Sequence, residues 1–271
     1  MTPDAVHLIT GASSGIGEAT ARRLAREPGA RLVLVARREE RLRELAGSLP
    51  APATWIAADL TEDDAPARVR AHLEEHYGRL DLLVNNAGAS WRGTFAEEGY
   101  ANVHRTMELN FDAPVRLTEA LLPMLRASAP SAIVNVSSTA GRISRAGAGA
   151  YSASKYALAG WTDSLHLEER PHGVHVGLVL PGFIATEGFP ATELRERAAT
   201  RWVVSSAEKA AEAIFEAGPG GRAERYVPRP YALVAALRVL APGLVRRVLA
   251  GGGASVMTTS TGADATERGV R

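Results

Sequence analysis

Tyr151 and Lys155 are a pair of side chains whose types and spacing could perform acid/base chemistry. They stand four positions apart, which places both on one face of a helix. An ammonium close to a phenol stabilises the phenolate and lowers the tyrosine pKa from about 10 towards the working range of a catalyst. Of the 31 basic residues only Lys155 and Lys209 are lysines, and lysine suits this task because it is a compact point charge on a flexible stem. The pair indicates proton transfer, although an ordinary surface helix could show the same spacing.

A glycine-rich stretch from Thr10 to Gly17 follows an apolar run and opens a predicted helix. Glycines at such a turn let the backbone approach a pyrophosphate, and the helix N-terminus supplies free N–H donors. The stretch therefore predicts a dinucleotide site. Its phosphate-binding residues are predicted to be Gly11, Ser13, Ser14, Gly15, Ile16 and Gly17.

The same stretch also fits the Gly-x-Ser-x-Gly nucleophile elbow of α/β hydrolases, with Ser13 as the nucleophile. That motif needs earlier strands of a sheet and an upstream loop that stabilises an oxyanion. Only ten residues precede Gly11. A serine hydrolase is therefore the poorer interpretation.

The end of the second predicted strand carries two arginines, Arg37 and Arg38. Sites for NAD usually place an acid here for the ribose 2′-hydroxyl, whereas an arginine accommodates a 2′-phosphate. The first acid after this strand is Glu39. The pattern favours NADP(H) over NAD(H) as the cofactor, the alternative being two solvated arginines at a helix start.

Short apolar runs alternate with amphipathic stretches along most of the chain. Continuous β-branched and leucine runs, each followed by a helix, are typical of a parallel sheet that is covered on both faces. The predicted fold is α/β, a single-domain doubly wound parallel sheet (Rossmann fold) with helices on both faces. Strands are predicted at 6–10, 31–35, 54–58, 80–84, 132–136, 174–180 and 225–227, and helices at 15–26, 38–49, 61–77, 100–127, 151–169 and 207–217.

Composition excludes several classes of function. The chain has 271 residues, no cysteine and a net charge of +1, which excludes disulfides, thiolate chemistry and a global field that would recruit nucleic acid. The seven histidines form no pattern typical of a ligand set, so no metal site is predicted. We find neither a signal peptide nor an uninterrupted apolar run long enough to span a membrane. The expected location is cytoplasmic.

Several separated motifs, taken in order, resemble those of short-chain dehydrogenases/reductases over residues 5–228. The motifs at Thr10–Gly17 and Tyr151/Lys155 are two of them. The others are Asp59 after the third strand, Asn85-Asn86-Ala87-Gly88 after the fourth, Asn110 in the long helix, Ser138 after the fifth strand and Pro181-Gly182 after the sixth. The chain is thereby identified as a member of this family, whose enzymes interconvert carbonyls and alcohols with a nicotinamide cofactor.

The resemblance implies a role for each catalytic residue. Tyr151 is the general acid or base, and Ser138 donates a hydrogen bond to the same substrate oxygen. Lys155 lowers the tyrosine pKa and binds the nicotinamide ribose, while Asn110 holds a water that links Lys155 to solvent. Ser137 competes for the serine role, but Ser138 lies at the family's spacing of 13 positions before Tyr151.

The resemblance also implies the rest of the cofactor site and the assembly. Asp59 and Leu60 border the adenine, and Asn86, Ala87 and Gly88 line the cofactor path. The segment Pro181-Gly182 follows the sixth strand, and Ile184 and Thr186 meet the nicotinamide end. Pairing through the long helix and the Tyr151 helix implies a homodimer or homotetramer. A non-catalytic NADP-binding regulator on the same fold is the alternative, which the complete catalytic set disfavours.

The chain divides into three predicted parts. Residues 1–228 form the catalytic domain, with a substrate lid at about 186–205 whose apolar residues favour a hydrophobic carbonyl or alcohol substrate. Residues 229–250 form a basic, apolar helical extension, and the Gly/Ser/Thr-rich residues 251–271 are predicted to be a disordered tail. Three roles fit the extension: packing on its own subunit, forming a subunit interface, or lying on an anionic membrane surface through residues 229–249.

Overall fold

A seven-stranded parallel sheet forms the centre of the computed structural model, which describes residues 4–185 and 204–251. The strand order is β3-β2-β1-β4-β5-β6-β9, and β7 pairs with β8 in a separate two-stranded sheet. The strands are β1 (Val6–Thr10), β2 (Arg31–Ala36), β3 (Ala53–Ala57), β4 (Leu82–Asn85), β5 (Ser131–Val136), β6 (Val174–Pro181), β7 (Phe183–Ala185), β8 (Val204–Ser206) and β9 (Glu224–Val227).

Helices connect the strands and cover both faces of the sheet. They are α1 (Gly15–Leu24), α2 (Glu39–Ser48), α3 (Ala65–His76), α4 (Phe95–Met107), α5 (Ala113–Ala127), α6 (Gly149–Glu169), α7 (Ala207–Ala217), α8 (Tyr231–Leu240) and α9 (Pro242–Gly251). A π-helical segment (Glu108–Asp112) joins α4 to α5, and single 3₁₀ turns occupy Thr139–Gly141 and Arg170–His172. Within the two described ranges, no helix is both long enough and apolar enough to cross a bilayer.

The alternation of side chains along each buried strand explains the two helical layers. In β1, Ile9 packs into a core cluster with residues of α1, α2 and α7, whereas its neighbour Leu8 packs with residues of α3, α5 and α6. Leu34 and Val35 of β2 divide between the same two clusters. Successive strand residues point to opposite faces, so a strand that is apolar at every position must have helices on both sides.

The predicted doubly wound parallel fold is confirmed, with several local differences. The long helix predicted over 100–127 begins at Phe95 and is interrupted by the π segment. The helix predicted from Thr61 begins at Ala65, because the backbone and hydroxyl of Thr61 both bond to Asp59 and form a turn. The short β7 and β8 strands were not predicted. Most of the predicted lid (186–203) and the tail (252–271) lie outside the described residues.

The strand order reverses between β1 and β4, and this reversal determines where a ligand can bind. The connections after these two strands lead to opposite faces of the sheet and leave a crevice beyond their carboxyl ends. The Gly-rich turn follows β1, and the Asn86–Gly88 segment follows β4. The fold therefore brings two separately predicted cofactor segments to one edge.

Candidate active site

The Gly-rich turn between β1 and α1 is tightly packed against the segment that follows β4. Gly11 has φ +65°, and a Cβ there would lie 2.9 Å from the Asn86 amide nitrogen. A Cβ on Gly17 would overlap the carbonyl oxygen of Gly11. Gly15, which begins α1, also has a positive φ. The turn thus requires glycine at these positions, as the sequence predicted, and it forms a cradle that suits a phosphate at a helix N-terminus.

Thr10 joins this turn to the β4 connection. Its hydroxyl donates to the Val84 carbonyl (3.1 Å) and accepts from the backbone N–H groups of Asn86 (2.9 Å) and Ala87 (3.0 Å). The Asn86 side chain donates back to the Thr10 carbonyl at 2.9 Å. A single threonine therefore fixes the spacing between the two segments.

Arg38 lies across the Gly-rich turn. Its guanidinium donates to the Ser13 hydroxyl (3.1 Å), the Ser13 carbonyl (3.3 Å) and the Ser14 hydroxyl (2.8 Å). The side chain of Arg37 is three-quarters exposed and lies 3.7 Å from the Asp59 carboxylate. Two cations consequently flank the predicted adenosine end of the site. The Ser13 hydroxyl is engaged by an arginine, which does not suit the nucleophile of a hydrolase.

Asp59 and Leu60 stand at the end of β3, next to this basic pair. Burial acts to raise the pKa of Asp59, but hydrogen bonds from Thr61 and the charge of Arg37 outweigh it, so the pKa lies below its usual value. Leu60 is buried in the core cluster on the α3/α5 side. Ile16 of α1 packs at the edge of the opposite cluster.

Tyr151 is in the first turn of α6 and faces Ser138. Burial raises the pKa of Tyr151, while a side-chain hydrogen bond with Ser138 and the charges of Arg92 and Arg145 act in the opposite direction without outweighing it. The Ser138 hydroxyl also donates to the Pro181 carbonyl (3.3 Å) and accepts from the Ala140 N–H (3.1 Å). Ser138 thus links the ends of β5 and β6 to α6.

Ser137, the competing serine, has a different orientation. Its hydroxyl donates to the backbone carbonyl of Lys155 at 2.8 Å, and its N–H bonds to Val179. A Cβ on Gly141 would lie 2.7 Å from this hydroxyl and 2.6 Å from the Lys155 carbonyl oxygen. Ser137 therefore holds α6 against β5, and the geometry favours Ser138 as the residue beside the tyrosine.

Lys155 is buried, and its ammonium group lies at the carboxyl end of β5. The Nζ atom donates to the Val136 carbonyl at 2.9 Å and lies 5.9 Å from the centroid of the Tyr151 ring. Burial lowers the pKa of Lys155 to about 8. The lowering of the tyrosine pKa by Lys155 stays a prediction, because burial keeps the pKa of Tyr151 above its usual value and the groups that act against burial are Ser138, Arg92 and Arg145. The ammonium of Lys155 is directed to a backbone carbonyl.

Asn110 occupies the centre of the π segment and is fully buried. Its side chain accepts from the Ala89 N–H (2.9 Å) and donates to the Ala89 carbonyl (2.9 Å) and to the Ser154 hydroxyl (3.1 Å). A Cβ on Gly88 would lie 2.9 Å from the side-chain amide oxygen of Asn110 and 3.4 Å from Lys155 Nζ. The absence of a side chain at Gly88 thus leaves room between the long helix and Lys155.

The last group of predicted residues follows β6. Pro181 ends the strand, and the Gly182 N–H donates to the Val227 carbonyl at 2.7 Å. Ile184 in β7 is buried at 6% exposure. Thr186 lies outside the described residues. The described members of the predicted set are therefore gathered along the carboxyl edge from β3 to β6.

Sequence reasoning missed several residues at this edge. Thr10 was recognised only as part of the glycine motif, and Ser154 only as part of the spacing between Tyr151 and Lys155. Arg92 and Arg145 act on Tyr151 through their charge, but nothing in so arginine-rich a sequence distinguishes them from surface arginines. A doubly wound parallel sheet with this Gly-rich turn and this polar edge is the arrangement of a nucleotide-binding Rossmann fold.

Comparison with protein families agrees with this class. A family model described as short chain dehydrogenase matches residues 5–197. The bovine dehydrogenase/reductase SDR family member 7B is 38% identical over 68% of this chain, and the mouse protein of that name is 34% identical over 91% of this chain and 80% of its own length. The chain belongs to the short-chain dehydrogenase/reductase family. It spans 59% of the length of the bovine relative.

Further relatives and solved structures have the same character. An uncharacterized oxidoreductase, YxnA of Bacillus subtilis, is 34% identical over 91% of this chain and 71% of its own length. A short-chain dehydrogenase structure from Streptomyces avermitilis has a TM-score of 0.76 at 33% identity, covering 90% of this chain and 96% of that one. A short-chain dehydrogenase from Burkholderia cenocepacia, solved in complex with NADP, has a TM-score of 0.77 at 24% identity over 91% of this chain and 98% of its own. The last similarity concerns the fold.

Proposed function

We propose that this chain is an NADP(H)-dependent oxidoreductase that interconverts a carbonyl and an alcohol on a hydrophobic substrate, with Tyr151 as the general acid and base. The observation that carries the proposal is the convergence of three catalytic side chains, those of Ser138, Tyr151 and Lys155. Ser138 hydrogen-bonds to Tyr151, and Lys155 Nζ lies 5.9 Å from the tyrosine ring. The missing side chain at Gly88 leaves the space next to that ammonium open.

The residues divide the chemistry between them. In the reducing direction, Tyr151 donates its phenolic proton to the substrate oxygen, and Ser138 donates a hydrogen bond to that oxygen as charge develops on it. When bound, NADPH supplies the hydride that the carbonyl carbon accepts. Lys155, with a pKa of about 8, carries a positive charge near the phenolate at neutral pH. We assign to Asn110 the binding of the water through which the tyrosine regains its proton.

The preference for NADP(H) rests on the basic pair after β2. Arg38 is fixed on the Gly-rich turn by Ser13 and Ser14, and Arg37 lies 3.7 Å from the Asp59 carboxylate. A ribose 2′-phosphate would meet two cations here. A forked guanidinium binds phosphate more strongly than it binds a hydroxyl.

The hydrophobic substrate is inferred from apolar side chains at the nicotinamide end. Phe183 and Ile184 are buried in β7 at the end of the site, and the ring of Trp91 on the β4 connection is stacked under Arg105 at 5.1 Å. Apolar and aromatic walls of this kind are typical of sites that bind hydrophobic ligands. Equal turnover of small polar sugars would contradict this part of the proposal.

The proposal includes an assembly and a location. Aromatic residues Phe95 and Tyr100 on α4 and Leu167 on α6 are exposed, which supports pairing of subunits through these helices as a homodimer or homotetramer. The helices α8 and α9 expose apolar side chains beside arginines. We assign to them the binding of an anionic membrane surface on the cytoplasmic side.

The decisive experiment measures the oxidation of NADPH and of NADH with a panel of apolar ketones, aldehydes and quinones. The wild-type protein and Tyr151→Phe are compared on every compound. We expect the variant to lose about 100-fold or more in turnover, because it lacks the proton donor, while it keeps its affinity for NADPH. Tyr156→Phe is the matched control, since it removes a phenol from the same helix whose hydroxyl donates to the Arg142 carbonyl.

Two outcomes would contradict the proposal. Unchanged turnover in Tyr151→Phe would remove the tyrosine from the mechanism. Tight NADPH binding without turnover on any compound would favour a non-catalytic, NADP-binding regulator on the same fold.

A further inference from the structure

The turn that follows β3 at residues 59–61 (the 59–61 turn) carries Asp59 and Leu60, which are proposed to border the adenine of the cofactor. It is not part of a helix, because α3 begins only at Ala65. The backbone N–H and the hydroxyl of Thr61 both donate to one carboxylate oxygen of Asp59, at 3.1 and 2.8 Å. The Glu62 N–H donates to the Asp59 carbonyl. These bonds shape the turn from within, but they do not fix it to the rest of the molecule.

Arg116 of α5 joins the 59–61 turn to a packed helix. Its guanidinium donates to the backbone carbonyls of Leu60 at 3.2 Å and Thr61 at 3.0 Å, and to the carboxylate of Asp63 at 2.8 Å. The next residue of α5, Leu117, is buried in the same core cluster as Leu60. One side chain therefore binds three residues of the segment between β3 and α3 and connects them to a fixed part of the fold.

The two carbonyl contacts of Arg116 differ in kind from its ion pair. The side chain of Asp63 is fully exposed, and an exposed ion pair contributes little because water and salt screen it. The carbonyls of Leu60 and Thr61 belong to the backbone of the turn itself, and a charged donor bonds to them more strongly than a neutral one. Arg116 therefore acts on the path of that backbone.

The other side of the 59–61 turn faces the basic pair after β2. The Asp59 carboxylate lies 3.7 Å from the Arg37 guanidinium, so the turn contacts the proposed phosphate-binding arginines on one side and α5 on the other. The side chains proposed for proton transfer, Ser138 and Tyr151, are directly after β5 and on α6 instead. The position of the turn consequently concerns the adenosine half of the cofactor and not the reacting atoms.

We propose that Arg116 is a positioning residue, which holds the 59–61 turn in the conformation that accepts the adenine and thereby determines the affinity for the cofactor. Without the guanidinium, the turn samples other conformations. When only a fraction of the molecules has the binding conformation, the apparent Kd rises by the inverse of that fraction. This inference rests on the proposed cofactor site and adds a residue that lies outside it.

The test measures the Kd for NADPH and for NADH by calorimetry, in the wild-type protein and in Arg116→Gln. We expect the variant to raise both constants by the same factor, about 10-fold or about 1.4 kcal/mol, because both nucleotides carry the adenine. A long-range attraction between Arg116 and the 2′-phosphate would instead weaken NADPH alone. In turnover, KM for NADPH should rise while kcat is retained.

Hydrogen exchange of the cofactor-free protein is a second readout, which does not depend on a ligand. Arg116→Gln should speed exchange in peptides that cover residues 58–64, where the Thr61 N–H is bonded to Asp59. The Gly-rich turn after β1 should exchange as in the wild-type protein. Unchanged exchange at 58–64 would show that Arg116 does not order the turn.

Three further variants separate positioning from charge and from stability. Arg126→Gln is the matched control, because Arg126 lies in the same helix and pairs at 2.6 Å with the buried Glu169; it should lower the melting temperature and keep both Kd values. Asp63→Asn removes the exposed ion pair and should also keep them. Arg116→Lys keeps the charge without the planar fork, so it should restore only part of the lost affinity.

Wild-type Kd values in Arg116→Gln would overturn the inference. Full recovery in Arg116→Lys would overturn it as well, because the charge alone would then account for the effect, and an equal loss in Arg126→Gln would assign the effect to the stability of α5. If the wild-type protein binds neither nucleotide, the proposed cofactor site is wrong and the inference fails with it. Tight binding by the wild-type protein that Arg116→Gln leaves unchanged contradicts the inference alone.

Discussion

At the residue scale, the proposed preference for NADP(H) depends on Arg38. We expect Arg38→Gln to raise the Kd for NADPH by about 10-fold or more, since a hydrogen bond between charged groups contributes about 1.5–3 kcal/mol. Binding of NADH, which lacks the 2′-phosphate, should change little. Titration of cofactor fluorescence against both nucleotides measures the two constants.

Arg43→Gln is the control for this change, because Arg43 lies in α2, the helix that directly follows Arg38, but pairs with Glu39 and Glu40. Equal losses for NADPH and NADH in Arg38→Gln would show that the arginine only supports the turn through Ser13 and Ser14. The NADP(H) preference would then lose its main support.

His7 makes stability depend on pH. It is buried in β1, its Nδ1 has no hydrogen-bond partner among the described residues, and burial lowers its pKa to about 4 although Asp81 and Glu27 act to raise it. An unfolded histidine has a pKa of about 6.5, so the unfolded chain takes up a proton that the folded chain refuses. His7 contributes fully to the free energy of unfolding above pH 6.5. As the pH falls from there towards 4, this contribution of about 3 kcal/mol is lost.

Urea unfolding between about pH 4.5 and 7.5, with His7→Leu as the comparison, measures this effect. We expect the difference in unfolding free energy between the two proteins to shift in favour of the variant as the pH falls. A difference that stays constant with pH would show that His7 has the same pKa in the folded and unfolded protein.

The catalytic residues could be predicted at this scale because each has a fixed place after a strand. What could not be predicted is which charges act on Tyr151. Helical spacing places Lys155 on the same face as the tyrosine, but the direction of its ammonium depends on the buried carbonyl of Val136, which accepts it at 2.9 Å. The position of Arg145 depends on a tertiary contact with Phe183. Neither contact leaves a local signal in the sequence.

At the scale of elements, the π segment between α4 and α5 positions Asn110. We expect Asn110→Ala to lower the free energy of unfolding by about 2–3 kcal/mol, because three buried hydrogen bonds are lost at about 1 kcal/mol each. Turnover should fall as well, since the Ala89 backbone loses the partner that holds Gly88 beside Lys155. Urea unfolding and kcat measured on the same preparation provide both values.

Asn135→Ala is the matched control for Asn110→Ala. Asn135 is an equally buried asparagine whose side chain bonds to Asn85 and Thr162 instead of the β4 connection. Its loss should lower stability while kcat is retained. A similar fall in kcat for both variants would mean that turnover follows overall stability and that the π segment has no specific positioning role.

Elements with a strong pattern were predicted well, and elements without one were missed. The helix Ala207–Ala217 has the predicted bounds, because a serine cap and a buried alanine face mark it clearly. The π segment was missed because one extra residue in a turn does not disturb an apolar pattern that continues on both sides. Strands β7 and β8 have three residues each, which is too short for a period to be visible.

At the scale of the whole molecule, the layer arrangement could be predicted but the use of the C-terminal extension could not. Apolar strands with intervening helices leave a doubly wound sheet as the consistent arrangement. The extension forms the helices α8 and α9, of which Tyr231, Ala235 and Val245 are buried. That packing accounts for one side of these two helices only.

The outer side of α8 and α9 combines apolar exposure with positive charge. Large apolar side chains are exposed on both helices, reaching 82% at Leu240 and 65% at Val248. Residues 229–251 contain four arginines and no acid. Exposed leucines beside arginines suit the boundary between acyl chains and anionic headgroups.

We therefore expect the full-length protein to float with vesicles of phosphatidylcholine and phosphatidylserine, and to float less with phosphatidylcholine alone. Arg246→Gln combined with Arg247→Gln should weaken binding to the anionic vesicles by about 30-fold, since each arginine near such a surface contributes about 1 kcal/mol. Leu240→Ser should reduce binding to both kinds of vesicle, because it removes apolar area that the bilayer would cover.

Arg43→Gln combined with Arg70→Gln removes the same charge from α2 and α3 and should leave flotation unchanged. An equal loss of vesicle binding in this control would attribute binding to the net charge of the protein and not to α8 and α9. If no vesicle retains the wild-type protein and Leu240→Ser dissociates an oligomer in sedimentation, the exposed leucines face another subunit. These two outcomes differ in one property. Binding to an anionic membrane depends on both the arginines and the leucines, whereas a subunit interface built on apolar packing depends mainly on the leucines.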